Sequence, residues 1–244
     1  MSAAMKIRYS VVLPAYNEAE SIGRAVEKVA GALKGLAAEV IVAEDGSQDG
    51  TLAAARKAAK RFGIVRVLHF EGRLGRGGAL VNAFSKARGQ FVAYIDADLS
   101  PDPNALKELF AALEGCDVVT ASRYAPGAKA KREFSRLTAS SVFNFLVQLV
   151  LGSRLADHQC GLKAFRKPAI LEICKSVKSR GWFWDTEVLV LAQKMGYRTA
   201  EVPVSWNETR FAGQSKVNFL ADSLKMFSDI IAMRLRLWKA GILY

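Results

Sequence analysis

Along the first 122 positions, short apolar runs alternate with segments whose apolar residues recur at helical spacing. Tyr9–Leu13 is an apolar run ending at Pro14, and from Glu18 to Leu36 the residues Ile22, Val26, Val29 and Leu33 mark one helix face, with Ser21 as its expected cap. Glu39–Ala43 predicts a second strand, closed by the turn-rich Asp45-Gly46-Ser47-Gln48-Asp49-Gly50. An alanine-rich helix over Thr51–Phe62 and a strand over Ile64–His69 follow. Gly75–Gly78 opens a helix running to about Arg88. Phe91–Ile95 then predicts a strand, Asn104–Leu113 a helix and Asp117–Ala121 a fifth strand.

This alternation with short connections predicts an α/β fold with a parallel, doubly wound sheet, in which ligands collect at the carboxyl ends of the strands. The residues just beyond the runs are Pro14–Glu18, Glu44-Asp45, Asp96-Ala97-Asp98 and Ser122-Arg123, and three of these four ends carry carboxylates. The second half reads as a long amphipathic helix over Phe134–Leu151, a strand over Gly161–Phe165 and a helix over Thr186–Met195. A strand over Thr199–Trp206 and a closing helix from Val217 to about Lys239 complete it. With no repeat or linker in view, residues 1–244 are expected to form one domain. The longest apolar stretch, Val142–Leu151, is interrupted by Asn144 and Gln148 and is too short for a bilayer, which needs about 20 residues. Nor does Met1–Tyr9 carry the apolar core of a secretion signal.

Composition narrows the class. Half of the residues are hydrophobic (51%) and 24% are charged, which excludes a disordered or collagenous chain. Cys116, Cys160 and Cys174 are too scattered for a disulfide framework, so a reducing compartment is expected. His69 and His158 lie too far apart to suggest a zinc site. The net charge of +12 is unevenly placed: residues 1–122 carry 15 Lys+Arg against 14 Asp+Glu, whereas residues 123–244 carry 20 against 9. Such a cationic half points to a polyanionic partner, whether nucleic acid, anionic lipid or a phosphorylated substrate.

Two carboxylates two residues apart at a strand end, as in Asp96-Ala97-Asp98, can share a divalent cation and leave positions for water and diphosphate oxygens. Read alone, the same triplet is more often an ordinary acidic turn. Gly72-Arg73-Leu74-Gly75-Arg76-Gly77-Gly78, ahead of a helix, is either an anion-binding turn or a plain flexible one. Arg123, Lys129, Lys131, Arg132 and Arg136 form either a solvated basic face or a phosphate site.

Taken together, Val12-Leu13-Pro14-Ala15-Tyr16-Asn17-Glu18, Glu44-Asp45-Gly46-Ser47 through Asp49-Gly50-Thr51, and Asp96-Ala97-Asp98 resemble a family 2 glycosyltransferase of the GT-A fold. The series continues through Asp157-His158-Gln159-Cys160-Gly161-Leu162-Lys163, Trp184-Asp185-Thr186-Glu187, Glu201-Val202-Pro203-Val204-Ser205-Trp206 and Ser215-Lys216. It is similar to the polyprenyl-phosphate (dolichyl-phosphate) hexosyltransferases, nearer the glucose than the mannose synthases.

The resemblance implies a Rossmann-like nucleotide-sugar-binding domain with a mostly parallel sheet and a C-terminal extension of amphipathic helices. It assigns residues 1–122 to nucleotide and metal and residues 123–244 to acceptor and membrane. Pro14, Tyr16, Glu18 and Asp45 would hold base and ribose. Asp96 and Asp98 would hold Mg²⁺ or Mn²⁺ and the donor diphosphate, with Arg76 and Gln159 beside the donor. Asp157 and Lys163 would help orient sugar or diphosphate. Arg123, Arg136, Arg210 and Lys216 would hold the acceptor phosphate. Asp185 stands where many such enzymes keep a general base, and is expected to act with Asp98 in catalysis. A lipid phosphate is already ionised near neutral pH, so Asp185 would position and polarise as much as accept a proton. Cys160 is expected to be a small buried residue, and at least one of Trp182 and Trp184 to be core.

The implied reaction is inverting hexose transfer from a nucleotide-sugar donor, UDP-glucose before GDP-mannose, to a polyprenyl or dolichyl phosphate. The implied location is peripheral (monotopic), on the cytoplasmic face of a membrane with an anionic surface and without a transmembrane helix. The interface would be Phe134–Leu151, with Phe143, Phe145, Leu146, Leu149 and Val150, and the C-terminal helix, with Met233, Leu235, Leu237 and Trp238 among Arg234, Arg236 and Lys239. Alternatively these helices pack on the core or form a homodimer surface. Two rivals stand beside this reading. A family 2 enzyme with a soluble or polysaccharide acceptor would need Asp185 as an obligatory base. A basic nucleic-acid-binding protein would bind oligonucleotides with steep salt dependence, although carboxylate-lined strand ends disfavour it.

Overall fold

The computed structural model describes residues 6–131, 134–207 and 219–242, with side chains described for all of these except 131–137 and 219–224. The first half follows the predicted alternation: β1 (Tyr9–Ala15), α1 (Ile22–Ala32), β2 (Ala38–Glu44), α2 (Thr51–Arg61), β3 (Val65–His69), α3 (Arg76–Lys86), β4 (Phe91–Ile95), α4 (Ala105–Ala112) and β5 (Val118–Ser122). Then come β6 (Lys129–Lys131), α5 (Phe134–Leu151), β7 (Leu162–Arg166), α6 (Lys167–Ser176), α7 (Trp184–Lys194), β8 (Thr199–Pro203), β9 (Ser205–Asn207) and α8 (Phe219–Lys239).

Three local expectations are corrected. The strand expected over Thr199–Trp206 breaks at Val204, where the chain leaves β8 after Pro203 and pairs as β9 with β6 instead. Helix α6 was not expected, because it follows β7 with no intervening loop; its Pro168 sits in the first turn, where a missing N–H costs nothing. Ser21 occupies the cap position of α1, but its hydroxyl turns back to the Glu18 carbonyl at 3.3 Å rather than capping the helix.

Among the described residues, seven strands form one sheet in the order β3-β2-β1-β4-β7-β5-β8. All neighbours are parallel except β7, which runs antiparallel to both β4 and β5. Alternation along β1 sends Val11 and Leu13 to one face and Val12 to the other. The first face is covered by α1, α2 and α4, and the second by α3, α6 and α7 with the inner sides of α5 and α8. The antiparallel direction of β7 positions the site. Ile95, the last residue of β4, pairs with Leu162, the first of β7, so residues 157–161 arrive at the same rim as the carboxyl ends of the parallel strands.

Candidate active site

Four segments meet at that rim. The loop after β4 carries Asp96 and Asp98, and its backbone is tied to the segment entering β7 by Asp96 N–H donating to the Gly161 carbonyl at 3.0 Å. Leu99, between Asp98 and Ser100, has φ +52°, and so does Asn17 after β1. Non-glycine residues in the left-handed region cost energy that the surroundings must hold in place, and such strain gathers at functional loops. Here the two strained residues lie at the carboxyl ends of adjacent strands. Ser100 N–H donates to Asp98 Oδ1 at 3.0 Å, which fixes that carboxylate.

Asp96 and Asp185 share one cation. Arg76, the first residue of α3, donates from Nε and Nη2 to Asp96 Oδ1 at 3.1 and 2.7 Å, and from Nη1 to Asp185 Oδ2. Asp185 also accepts from the Tyr94 hydroxyl on β4 and lies 3.1 Å from Nζ of the fully buried Lys163 on β7. Helix α7 begins at Trp184, two residues before the expected start, which puts Asp185 in its first turn, where the helix dipole favours an anion. The two carboxyls separate accordingly. Burial raises both, but Arg76, Lys163 and Tyr94 hold Asp185 below the usual carboxylate range. For Asp96, burial wins with help from the Asp98 and Asp185 charges against Arg76, and it is pushed up to about 6.

The other expected residues divide. Asp45, buried after β2, accepts from Leu74 N–H in the glycine-rich loop at 2.7 Å, and burial raises its carboxyl. Tyr16 carries the Arg73 guanidinium 3.9 Å from its ring centroid, beside Pro14 at the end of β1. Glu18 N–H donates to Thr51 Oγ1 at 2.7 Å. These four stand at the carboxyl ends of β1 and β2, a shelf beside the turn Gly72–Gly75, with the Glu18 carboxylate accepting from the Ser21 hydroxyl. Glu44 faces its own loop, holding Ser47 N–H and His69. Gln159 donates to Thr186 Oγ1 at 2.7 Å, beside Asp185.

Arg123 requires correction as an acceptor-phosphate ligand. Its side chain is 3% exposed, and its Nε and Nη2 both bind Asp157 at 2.7 Å, so the fork expected to take a phosphate is filled by a carboxylate. Asp157 in turn is held by this pair. Lys163 is likewise committed, to Asp185 and, at 2.7 Å, to the Cys160 carbonyl. The Arg136 side chain and the residues Arg210 and Lys216 lie outside the described residues. Cys160 is buried, and its thiol is pushed up to about 12 by that burial, so it is no nucleophile. Trp184 is buried core, whereas Trp182 is 38% exposed and borders the site, its ring centroid 5.6 Å from the Arg76 guanidinium carbon.

Sequence reasoning missed Tyr94 and Arg73. The signal for Tyr94 was a lone hydroxyl in the otherwise apolar β4, where a buried phenol needs a partner. Arg73 had no signal beyond its glycine-rich setting.

Residues 10–174 match the family model described as glycosyl transferase family 2. Glycosyltransferase AglD of Haloferax volcanii is 43% identical over 236 residues, covering 94% of this chain; the chain spans 37% of that relative's length. Dolichyl-phosphate beta-glucosyltransferase of Saccharomyces cerevisiae is 30% identical over 254 residues, covering 94% of this chain and 75% of its own. Among solved structures, glucosyl-3-phosphoglycerate synthase from Mycobacterium tuberculosis, in complex with Mn²⁺, uridine diphosphate and phosphoglyceric acid, aligns with a TM-score of 0.68 at 25% identity over 97% of this chain and 80% of that one.

Proposed function

The chain belongs to glycosyl transferase family 2, and from that premise we propose that it moves a hexose from a nucleotide diphosphate sugar to a polyprenyl phosphate such as dolichyl phosphate, inverting the anomeric centre. UDP-glucose is the favoured donor and GDP-mannose the second. The yeast relative's name and the uridine diphosphate of the mycobacterial complex support that order.

The observation that carries the acceptor is the environment of Asp185. A carboxylate committed to Arg76, Lys163 and Tyr94 and held below its usual range is a weak proton acceptor. An alcohol acceptor needs a base; an ionised phosphate does not. One oxygen of the acceptor phosphate forms the new bond to the anomeric carbon as the bond to the donor diphosphate breaks. Negative charge passes from nucleophile to leaving group, and no proton moves.

Asp96 and Asp98 suit a hard divalent cation, being crowded oxygen donors whose repulsion such an ion relieves. Mg²⁺ or Mn²⁺ held there would offset the charge of the departing diphosphate. The shelf of Pro14, Tyr16, Glu18 and Asp45 would receive base and ribose. Arg136, Arg210 and Lys216 are proposed to hold the acceptor phosphate in line, with Arg123 bracing the rim through Asp157. The test is the purified chain with either donor, polyprenyl phosphate and Mn²⁺, scored for lipid-extractable sugar; no product with any common donor would overturn the reading. In that assay Asp185→Asn is expected to retain transfer within about tenfold of the parent, whereas loss of an obligatory base costs about 10²–10⁴-fold.

No helix among the described residues is long and apolar enough to cross a membrane. Most of the exposed large apolar side chains among the described residues nevertheless gather on two packed helices: Val142, Phe145 and Leu149 on α5, and Phe227, Ile231, Leu235 and Trp238 on α8. Met233 and Leu237, expected at the interface, are buried in the core instead, because they fall on the opposite side of the helical period. With Arg234 and Lys239 on the same helix, this face is proposed to seat the protein peripherally on the cytoplasmic leaflet, where anionic lipids concentrate. The doubly substituted Leu149→Glu, Trp238→Glu chain is expected to lose at least about tenfold in binding to anionic vesicles by sedimentation, since each buried side chain supplies about 1.5–3 kcal/mol. Unchanged binding would remove α5 and α8 from the interface.

A further inference from the structure

We infer that Arg76 is the resident counter-ion of the site, which yields Asp96 to an arriving divalent cation while keeping its hold on Asp185; this rests on the cation reading above. The geometry couples the two partners of Asp96. Nε and Nη2 of Arg76 both donate to the same oxygen, Asp96 Oδ1, at 3.1 and 2.7 Å, and so occupy both of its lone pairs. The other oxygen, Oδ2, lies beside Gly161, where an added methyl group would collide with it. A cation that takes Asp96 through Oδ1 therefore displaces the Nε–Nη2 edge of Arg76.

The rest of Arg76 is built to stay. Its Nη1 is bound to Asp185, and its guanidinium carbon lies 4.9 Å from the Tyr94 ring centroid and 5.6 Å from that of Trp182. Its backbone opens α3 after Gly75, at φ +78°, and the next residue donates Gly77 N–H to the Arg180 carbonyl at 2.9 Å. Gly77 is itself pressed against Trp184 so closely that a methyl group would collide with the indole. The side chain is thus anchored at its root and at one nitrogen, and only the edge facing Asp96 is exchangeable. Once freed, Nε and Nη2 are two parallel donors, the fork that suits phosphate oxygens. Asp96 would then hold the cation, and the freed Arg76 fork would face the diphosphate. Either ligand arriving alone meets the intact pair, so the two bind cooperatively.

The test is Mn²⁺ titrated into the full chain by calorimetry, with and without uridine diphosphate. In the parent chain the nucleotide is expected to tighten Mn²⁺ by about tenfold or more. Arg76→Gln is expected to bind Mn²⁺ alone several-fold more tightly than the parent and to lose the nucleotide's enhancement. Asp185→Asn is expected to move Mn²⁺ affinity the other way, because Arg76 then has Asp96 as its only carboxylate. A role in folding alone would weaken both variants together. Unchanged or weaker Mn²⁺ binding by Arg76→Gln overturns the counter-ion assignment. Mn²⁺ binding that survives Asp98→Asn, or that is absent from every form, overturns the cation reading itself and the inference with it.

Discussion

Asp98→Asn is expected to lower lipid-extractable sugar formation by about 10³-fold, a loss of roughly 4 kcal/mol of transition-state stabilisation. The substitution keeps the backbone contact that Asp98 makes. Asn keeps an oxygen to accept the Ser100 N–H that Asp98 now takes at 3.0 Å, so the strained turn at Leu99 retains its support. What disappears is a full negative charge beside Asp96. The check is kcat/KM together with the thermal midpoint. A large loss with the midpoint unchanged assigns the effect to chemistry, whereas activity within tenfold of the parent would remove Asp98 from the cation site.

Asp157→Asn is expected to cost about 3–5 kcal/mol of stability, because it leaves the Arg123 guanidinium buried without its counter-charge. Two side-chain bonds of 2.7 Å and a backbone bond from Arg123 N–H at 3.0 Å converge on this carboxylate, and Gln159 N–H adds another. Urea unfolding at neutral pH measures the loss. Its pH dependence has a defined sign. Burial raises the Asp157 carboxyl, but Arg123 and Lys163 hold it below the ordinary carboxylate value in the folded protein. Its contribution is therefore complete above the unfolded value of about 4 and is lost as pH falls through the folded one. The parent should lose stability over that acid range, and the variant should lose less of it. Replacing both partners with apolar residues of similar volume should recover part of the deficit, since well-packed apolar residues often stabilise as much as a buried ion pair or more.

The contrast between Arg123 and the first-half site residues shows where sequence reading stops. The positions of Asp45, Asp96 and Asp98 were legible because each follows an apolar run, and a run of five to seven residues declares its strand by composition alone. Arg123 stands at the end of such a run as well, and its position was read correctly. Its partner was not, because Asp157 is 34 residues away on a segment whose direction no spacing reveals. The same holds for α8. Its amphipathic period was evident, but Met233 and Leu237 could be sorted from Leu235 and Trp238 only once the sheet beneath them was known.

By itself the sequence determined the alternation of strands and helices, the rim at which chemistry gathers and the cationic character of the second half, since all three are carried by neighbouring residues. Tertiary structure decided which charges meet. Running β7 antiparallel between β4 and β5 brings Lys163 and Gly161 to the rim, and packing α7 behind it sets Asp185 against Arg76 across 109 residues. Those pairings follow from strand order and direction, which come from burying both faces of the sheet at once. They turn a near-neutral half and a basic half into one compensated site.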